Sequence, residues 1–270
     1  MAEQPRLATA FAAAILLSFV AAALFAPKLA PYDPAAQNLA LGLAPPSAAH
    51  PLGCDKLGRD ELSRLLYGAR VSLFVAVVAV AANVALGTLV GAVAGYFGGA
   101  LDFWLMRVVD VVMAFPGILL AIAISAVLGP SIGHVVLALA AIGWTGYARL
   151  VRGEVLRIKG REHVVAARAL GASRLRILQR HVLPLAWAPV IVQATFGMAG
   201  VIVAEASLSF LGLGVQPPTP SWGAMVNDGR PFLLVAPHMT VFPGLAIVAT
   251  VLALNILGDT LRDRLDVRAS

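Results

Sequence analysis

The chain has 270 residues, of which 60% are hydrophobic and only 13% charged, and its mean hydropathy is +0.87. A soluble domain averages about 45–50% apolar and about 25% charged residues, so these values exclude an ordinary soluble fold and indicate a chain dissolved in lipid. The formal charge is +6, but where that charge sits matters more than its sum, and it gives no ground for a nucleic-acid partner.

A helix needs roughly 20 apolar residues to cross the hydrocarbon of a bilayer. Runs of that kind lie at about 7–26, 71–95, 103–128, 132–150, 186–212 and 236–258. They are continuous rather than alternating, which favours helices over the strands of a barrel. The reading is an all-α membrane protein with six transmembrane helices. It divides into a tail and first helix at 1–26, an external segment at 27–70, and a five-helix core at 71–270 that includes a cytoplasmic loop at 150–185.

The first run, Leu7 to Phe25, is longer than a signal-peptide core and is preceded by one basic residue, Arg6. It reads as a retained span rather than a cleaved leader. The segment after it is extended and proline-rich (Pro27, Pro31, Pro34, Pro45, Pro46, Pro51) and ends in DKLGRDELSRLLYGAR. There Asp60 is a predicted N-cap for a short amphipathic helix carrying Leu62, Leu65 and Leu66, separate from the second span and lying on the membrane surface. At the start of the third run, Asp102, Arg107 and Asp110 are expected to set its depth and pair with one another, and Pro116 is expected to bend it.

Between the fourth and fifth runs lies a loop, 149–180, with nine basic residues and two acids, for a net charge of +7. Lysine and arginine concentrate on the cytoplasmic side. With six crossings both termini are then also inside, and the basic residues divide fourteen inside (Arg268 among them) to six outside. The loop predicts a helix over Glu162–Leu170, a left-handed stop at Gly171, and a second helix capped by Ser173 and running to about His181. Pro184 punctuates entry to the fifth span. The small residues Ala166, Ala167 and Ala169 let a partner surface approach closely. The competing reading of this loop is a topology signal or a patch for anionic lipid.

Glu205 lies within the fifth run, where an ionisable group is costly, so it is a candidate intramembrane functional residue; the alternative is a structural hydrogen bond near the outer end. The following stretch, GLGVQPPTPSWGAMVNDGRPFLL, reads as an ordered loop without regular structure. No catalytic residue, cofactor site or metal site emerges. Cys54 is the only cysteine, and the histidines (His50, His134, His163, His181, His238) lack ligand spacing. A P-loop needs Gly, four residues, then Gly-Lys-Ser/Thr, and none of the three lysines, Lys28, Lys56 and Lys159, has that setting.

The basic loop resembles the EAA loop of permeases in binding-protein-dependent ATP-binding-cassette importers, with Ala166, Ala167, Gly171, Leu183 and Pro184 matching the pattern. The resemblance extends from His50 through HPLGCDKLGRDELSRLLYGARVSL, GYFGGALDFWLMRVVDVVMAFPG, GWTGYARLVRGEVL, AEASLSFLGLGVQPPTPSWGAM and NILGDTLRDRLD. In order, these stretches are similar to the second, C-type permease of the dipeptide, oligopeptide and nickel branch. The resemblance implies the type I importer permease fold, a bacterial plasma-membrane location and no enzymatic activity in this chain. The implied partners are a second homologous permease, two cytoplasmic ATPase subunits and an external substrate-binding protein, within a lipid bilayer. The implied docking residues are Glu162, Val165, Ala166, Ala167, Gly171, Leu183 and Pro184. The chain departs from the pattern at Val165, where the family has glutamate; Glu162 lies one turn earlier on the same face. The main alternative is an ion-gradient-driven secondary transporter, which calls for internal repeats and midplane ionisable groups; no repeat is visible and Glu205 is the one such group. A membrane enzyme or passive scaffold calls for a catalytic constellation or a soluble appendage.

Overall fold

The computed structural model describes residues 4–266; Arg268 and Ser270 lie outside the described residues. Their regular structure is helical: α1 Gln4–Leu29, α2 Glu61–Phe97, α3 Gly99–Met113, α4 Gly117–Leu128, α5 Ile132–Ile158, α6 Glu162–Ala169, α7 Arg174–Ile177, α8 Leu183–Phe210, α9 Trp222–Gly229 and α10 His238–Asp266. Five helical stretches are long and apolar enough to cross a membrane, and the pair α3 and α4, bent by 82°, makes a sixth.

Pro116 explains the bend. It has no N–H to donate, and its ring disfavours helical geometry at Phe115, so α3 ends at Met113 and α4 starts at Gly117. The pair still leads from one end of the bundle to the other. Lys159 Nζ donates to the Gly95 carbonyl at 2.8 Å, tying the C-terminal ends of α2 and α5 together. His134 Nδ1 meets the Gly129 carbonyl at 2.9 Å, tying the end of α4 to the start of α5.

Three expectations are corrected. The surface helix expected after Asp60 and the second span are one helix of 37 residues, α2, crossing the expected boundary at residue 70. Asp60 does cap it, accepting from Ser63 N at 2.8 Å. Arg64, expected in an exposed surface helix, is buried beside Asp55 and the distant Asp228. The stretch 212–234 is not wholly irregular, because Ser221 caps α9 by accepting from Ala224 N. Finally, Asp102 and Asp110 pair chiefly with α5 rather than with Arg107. Asp102 holds Arg152 in a two-pronged pair at 2.6 and 2.7 Å, and Asp110 holds Arg149 at 2.6 Å, whereas Arg107 lies 3.8 Å from Asp110.

The most extensive packing is between α2 and α5. Lipid tails are as apolar as leucine, so membrane helices gain little from burial alone and depend on close contact. The seam supplies it: Gly87, Gly91 and Gly95 recur every fourth residue on α2, and a Cβ added at each would lie 2.5 Å from Tyr147 Cβ, 2.4 Å from the Ala148 carbonyl and 2.9 Å from the Arg152 carbonyl. The core has two main parts. One joins α1, α2, α4, α5, α8, α9 and α10 around Ile202, Leu208 and Trp222. The other, near the C-terminal end of α5, packs Val155, Ile158, Val164, Ile177 and Val182 beneath α6.

Candidate functional site

The basic end of the bundle carries a helix–turn–helix set on an apolar plug. Glu162 opens α6, where an acid favours the positive end of the helix dipole. Val164, fully buried, turns inward against Ile158 and Ile177 and fixes the helix to the bundle. The opposite face, Glu162, Val165, Ala166 and Ala169, follows the three-and-four spacing of one helical side and is exposed. Leu170 is 88% exposed and Leu175 58%, and Arg161, Arg168, Arg174 and Arg176 of the same segment are exposed too.

Gly171 closes α6 with a positive φ of 81°. Its N–H donates to the Arg168 carbonyl at 3.0 Å, and Ala172 N donates to the Ala167 carbonyl at 3.1 Å. This is the Schellman pair of bonds, completed by contact of Ala167 and Ala172 with the core below. Ala167 therefore faces inward, unlike Ala166 and Ala169. A Cβ at Gly171 meets nothing within 4 Å, so backbone conformation, not space, requires glycine there.

The second helix of the loop does not stop near His181 as expected, because helical structure continues from Arg174 to Phe210. After Ser173 caps α7, the chain winds through a π turn, Leu178–Val182, straight into α8. Leu183 N donates to the Leu178 carbonyl, five residues back. The wider turn lets the helix pass Pro184, which cannot donate and would crowd an ordinary turn. Leu183 is half-buried against the core and Pro184 is exposed on the first turn of α8. The seven docking residues thus divide: Glu162, Val165, Ala166 and Gly171 face outward around α6, Ala167 and Leu183 face the core, and Pro184 sits on α8.

At the other end of the bundle Glu205 is 1% exposed. Ser209 Oγ donates to its Oε1 at 2.7 Å and Ser72 Oγ to its Oε2 at 3.1 Å. Trp222 N donates to Ser72 Oγ at 3.3 Å, and Ser221 lies 3.5 Å from Ser209. One carboxyl group thus connects α2, α8 and, through Ser72, the start of α9.

Nearby lies an ionic cluster that sequence reasoning missed. Asp55 Oδ1 accepts from Leu57 N and Arg59 N, and Arg59 Nε donates to Asp55 Oδ2 at 2.6 Å. Arg64 lies 3.4 Å from Asp228, and Lys56 donates to Asp228 at 2.9 Å. His50 meets Asp60 at 2.8 Å, and His238 Nε2 meets the Cys54 carbonyl at 3.1 Å. The alternating charges of DKLGRDEL were the available signal; Asp228, 164 residues from Arg64, could not be assigned from them. Among the described residues no cluster of three or more His, Cys, Asp or Glu side chains is arranged to hold a metal ion.

Comparison with known proteins adds to this geometry. The sequence profile of binding-protein-dependent transport system inner membrane components matches residues 87–270. The glutathione transport system permease protein GsiD of Escherichia coli strain 536 is 49% identical over 259 residues, which cover 94% of this chain and 84% of that protein. GsiD of Shigella boydii matches to the same extent, 49% over 259 residues. The dipeptide transport system permease protein DppC of Alkalihalophilus pseudofirmus is 45% identical over 252 residues, covering 93% of this chain and 83% of that protein.

Proposed function

This chain belongs to the family of binding-protein-dependent transport system inner membrane components, and on that premise we propose how it works as a permease subunit of an ATP-binding-cassette importer for peptides or a similar small solute. Relatives named for glutathione and dipeptide transport support that solute class. The observation that carries the mechanism is the exposed α6 face, held by a Schellman turn to α7, which runs through the π turn into α8 without a break.

The α6–α7 element lies on the cytoplasmic side and receives one of two ATPase subunits, with Glu162, Val165, Ala166 and Gly171 at the contact. Hydrolysis of ATP falls to those subunits. A second homologous permease completes the path. The 27–70 segment and α9 face outward, toward the binding protein that delivers solute, and both termini are cytoplasmic. Residues 71–270, with α2 extended back to Glu61, act as the moving core. When the ATPases close on ATP, a push on α6 passes through its contact with Ile177 and Val182 to the unbroken α7–α8 helix, and the spans change from inward- to outward-facing. Glu205 keeps α2, α8 and α9 in register during that motion.

Isolation of the affinity-tagged chain from its native membranes tests the assignment. A homologous permease and an ATPase should co-purify, and uptake should stop when ATP is depleted. A chain that purifies alone, with uptake abolished by a protonophore and not by ATP depletion, would be an ion-driven secondary transporter.

A further inference from the structure

Where α2 ends, it faces the α6–α7 element across an open groove of about 300 Å³. Tyr96 and Phe97 line it from the last turn of α2, and Arg168, Ala172, Arg174 and Ile177 from α6, α7 and the turn between them. The three arginines of α5 are all paired, Arg149 with Asp110, Arg152 with Asp102 and Arg157 with Glu154. By contrast, the side chains of Arg168 and Arg174 have no ion-pair or hydrogen-bond partner among the described residues, and no acid lines the groove. Two cations thus share a surface whose other walls are aromatic or aliphatic, and like charges brought together favour an anion between them.

The groove lies at the level where the bundle leaves the membrane. The apolar span of α2 ends at Phe97, and exposed apolar side chains continue into α3 at Leu101, Phe103 and Trp104, the last of them 66% exposed. Aromatic residues gather at such a boundary, where an apolar body and a polar edge each find a matching solvent. Tyr96 packs edge-on against Phe97, with 5.4 Å between ring centroids, and its hydroxyl has no partner among the described residues. Arginines that reach this level from the water side carry donors suited to phosphate oxygens. The groove is also set apart from the proposed docking face. At 100° per residue, Arg168 lies about 110° round α6 from the centre of the face formed by Glu162, Val165, Ala166 and Ala169.

We infer that this groove holds the phosphate of an anionic phospholipid of the cytoplasmic leaflet, with Arg168 and Arg174 on the phosphate oxygens, Tyr96 beside them, and the glycerol end of the lipid against Phe97, Ala172 and Ile177. The inference rests on the cytoplasmic placement of α6 proposed above, the side on which the leaflet is anionic. Aromatic walls at the end of an apolar span select a lipid over a partner that approaches through water, such as the ATPase.

The test uses the importer purified with its ATPases in a mild detergent and stripped of lipid. It is titrated with dioleoylphosphatidylglycerol, with dioleoylphosphatidylcholine and with inorganic phosphate, and bound molecules are counted by native mass spectrometry. Arg168→Gln/Arg174→Gln removes both charges of the groove. Arg176→Gln/Arg180→Gln removes two charges from the same loop outside it. All four arginines are exposed, so both double variants should fold and keep the ATPase. The wild-type assembly should bind phosphatidylglycerol about tenfold more tightly than phosphatidylcholine, on the scale that two arginines at an anionic headgroup give. The groove variant should lose that preference and the control should keep it. Equal loss in both variants would show a diffuse basic surface and overturn the site, as would an unchanged preference in the groove variant. Displacement of the lipid by millimolar inorganic phosphate would show a free-anion site instead. Loss of the ATPase from the groove variant alone would assign the groove to the ATPase contact. If the wild-type chain carries no ATPase, the importer reading falls, while the lipid count on that chain still decides the groove.

Discussion

Cys54 shows how completely the polar end of the bundle is closed. It is fully buried, and burial, reinforced by the nearby carboxylates Asp60, Asp55 and Glu61, pushes its thiol up to about 11. Only the thiolate reacts with maleimides, so at pH 8 roughly one molecule in a thousand is reactive. The native chain should stay unlabelled at pH 8 and label stoichiometrically once denatured; rapid labelling of the native chain would show that the 30–60 segment does not seal this end. Glu205 makes a parallel case. Glu205→Ala leaves Ser72 and Ser209 without their buried acceptor, at a cost of about 1–3 kcal/mol, and should lower the thermal midpoint in detergent. Glu205→Gln keeps one carbonyl oxygen and offers donors to hydroxyls that can also accept, so it should fall between. A Glu205→Gln chain with wild-type melting but no transport would show that the carboxylate serves the solute path and not the helices.

Among the elements, the α2–α5 seam is the one whose loss should break the fold. Valine at Gly91 would place its Cβ 2.4 Å from the Ala148 carbonyl, so the two backbones must part. Overpacking of this kind costs about 1–3 kcal/mol, and Gly91→Val should reduce the yield of folded protein and its melting temperature. Gly146→Ala on α5, where an added Cβ meets nothing within 4 Å, is the control and should behave as wild type. Equal melting of both variants would mean that the seam is not a close contact. The spacing of Gly87, Gly91 and Gly95 did not enter the sequence reading, because a small-residue stripe does not name its partner helix. The same distinction runs through the chain. Asp60, Gly171 and Ser173 were legible because caps and left-handed turns are set by local chemistry. The continuity of the helix after Asp60 with the second span was not, because the partner that lets Arg64 be buried there, Asp228, is brought in by tertiary structure. Ser221 was read as loop amid Gly and Pro, although it caps α9. The π turn before Pro184 likewise has no sequence signature apart from the proline itself.

For the whole molecule, the importer account requires opposite faces for α6 and for the loop before α9. His163 on α6 and Thr219 before α9 are both exposed, whereas Ser221 is fully buried and reports on the cap instead. With Cys54 silent, an impermeant thiol reagent added to intact cells should label Thr219→Cys and spare His163→Cys; the reverse pattern would invert the molecule. The proposed coupling depends on the α6 turn. Gly171 sits at a φ of 81°, a conformation that costs a β-branched residue on the order of 1–2 kcal/mol, while the plug of Val164, Ile177 and Val182 beneath it is untouched. Val165→Glu places the family's residue on an exposed position and should be tolerated. The most direct measurement is solute-stimulated ATP hydrolysis by the reconstituted importer carrying Gly171→Val, at matched amounts of membrane-inserted chain. The account predicts that the second permease still assembles while ATPase binding or stimulated hydrolysis falls at least about tenfold, as a lost coupling contact of 1.4 kcal/mol or more would give. Wild-type hydrolysis and uptake by Gly171→Val would show that the loop is only a basic topology signal, and would contradict the docking role on which the account rests.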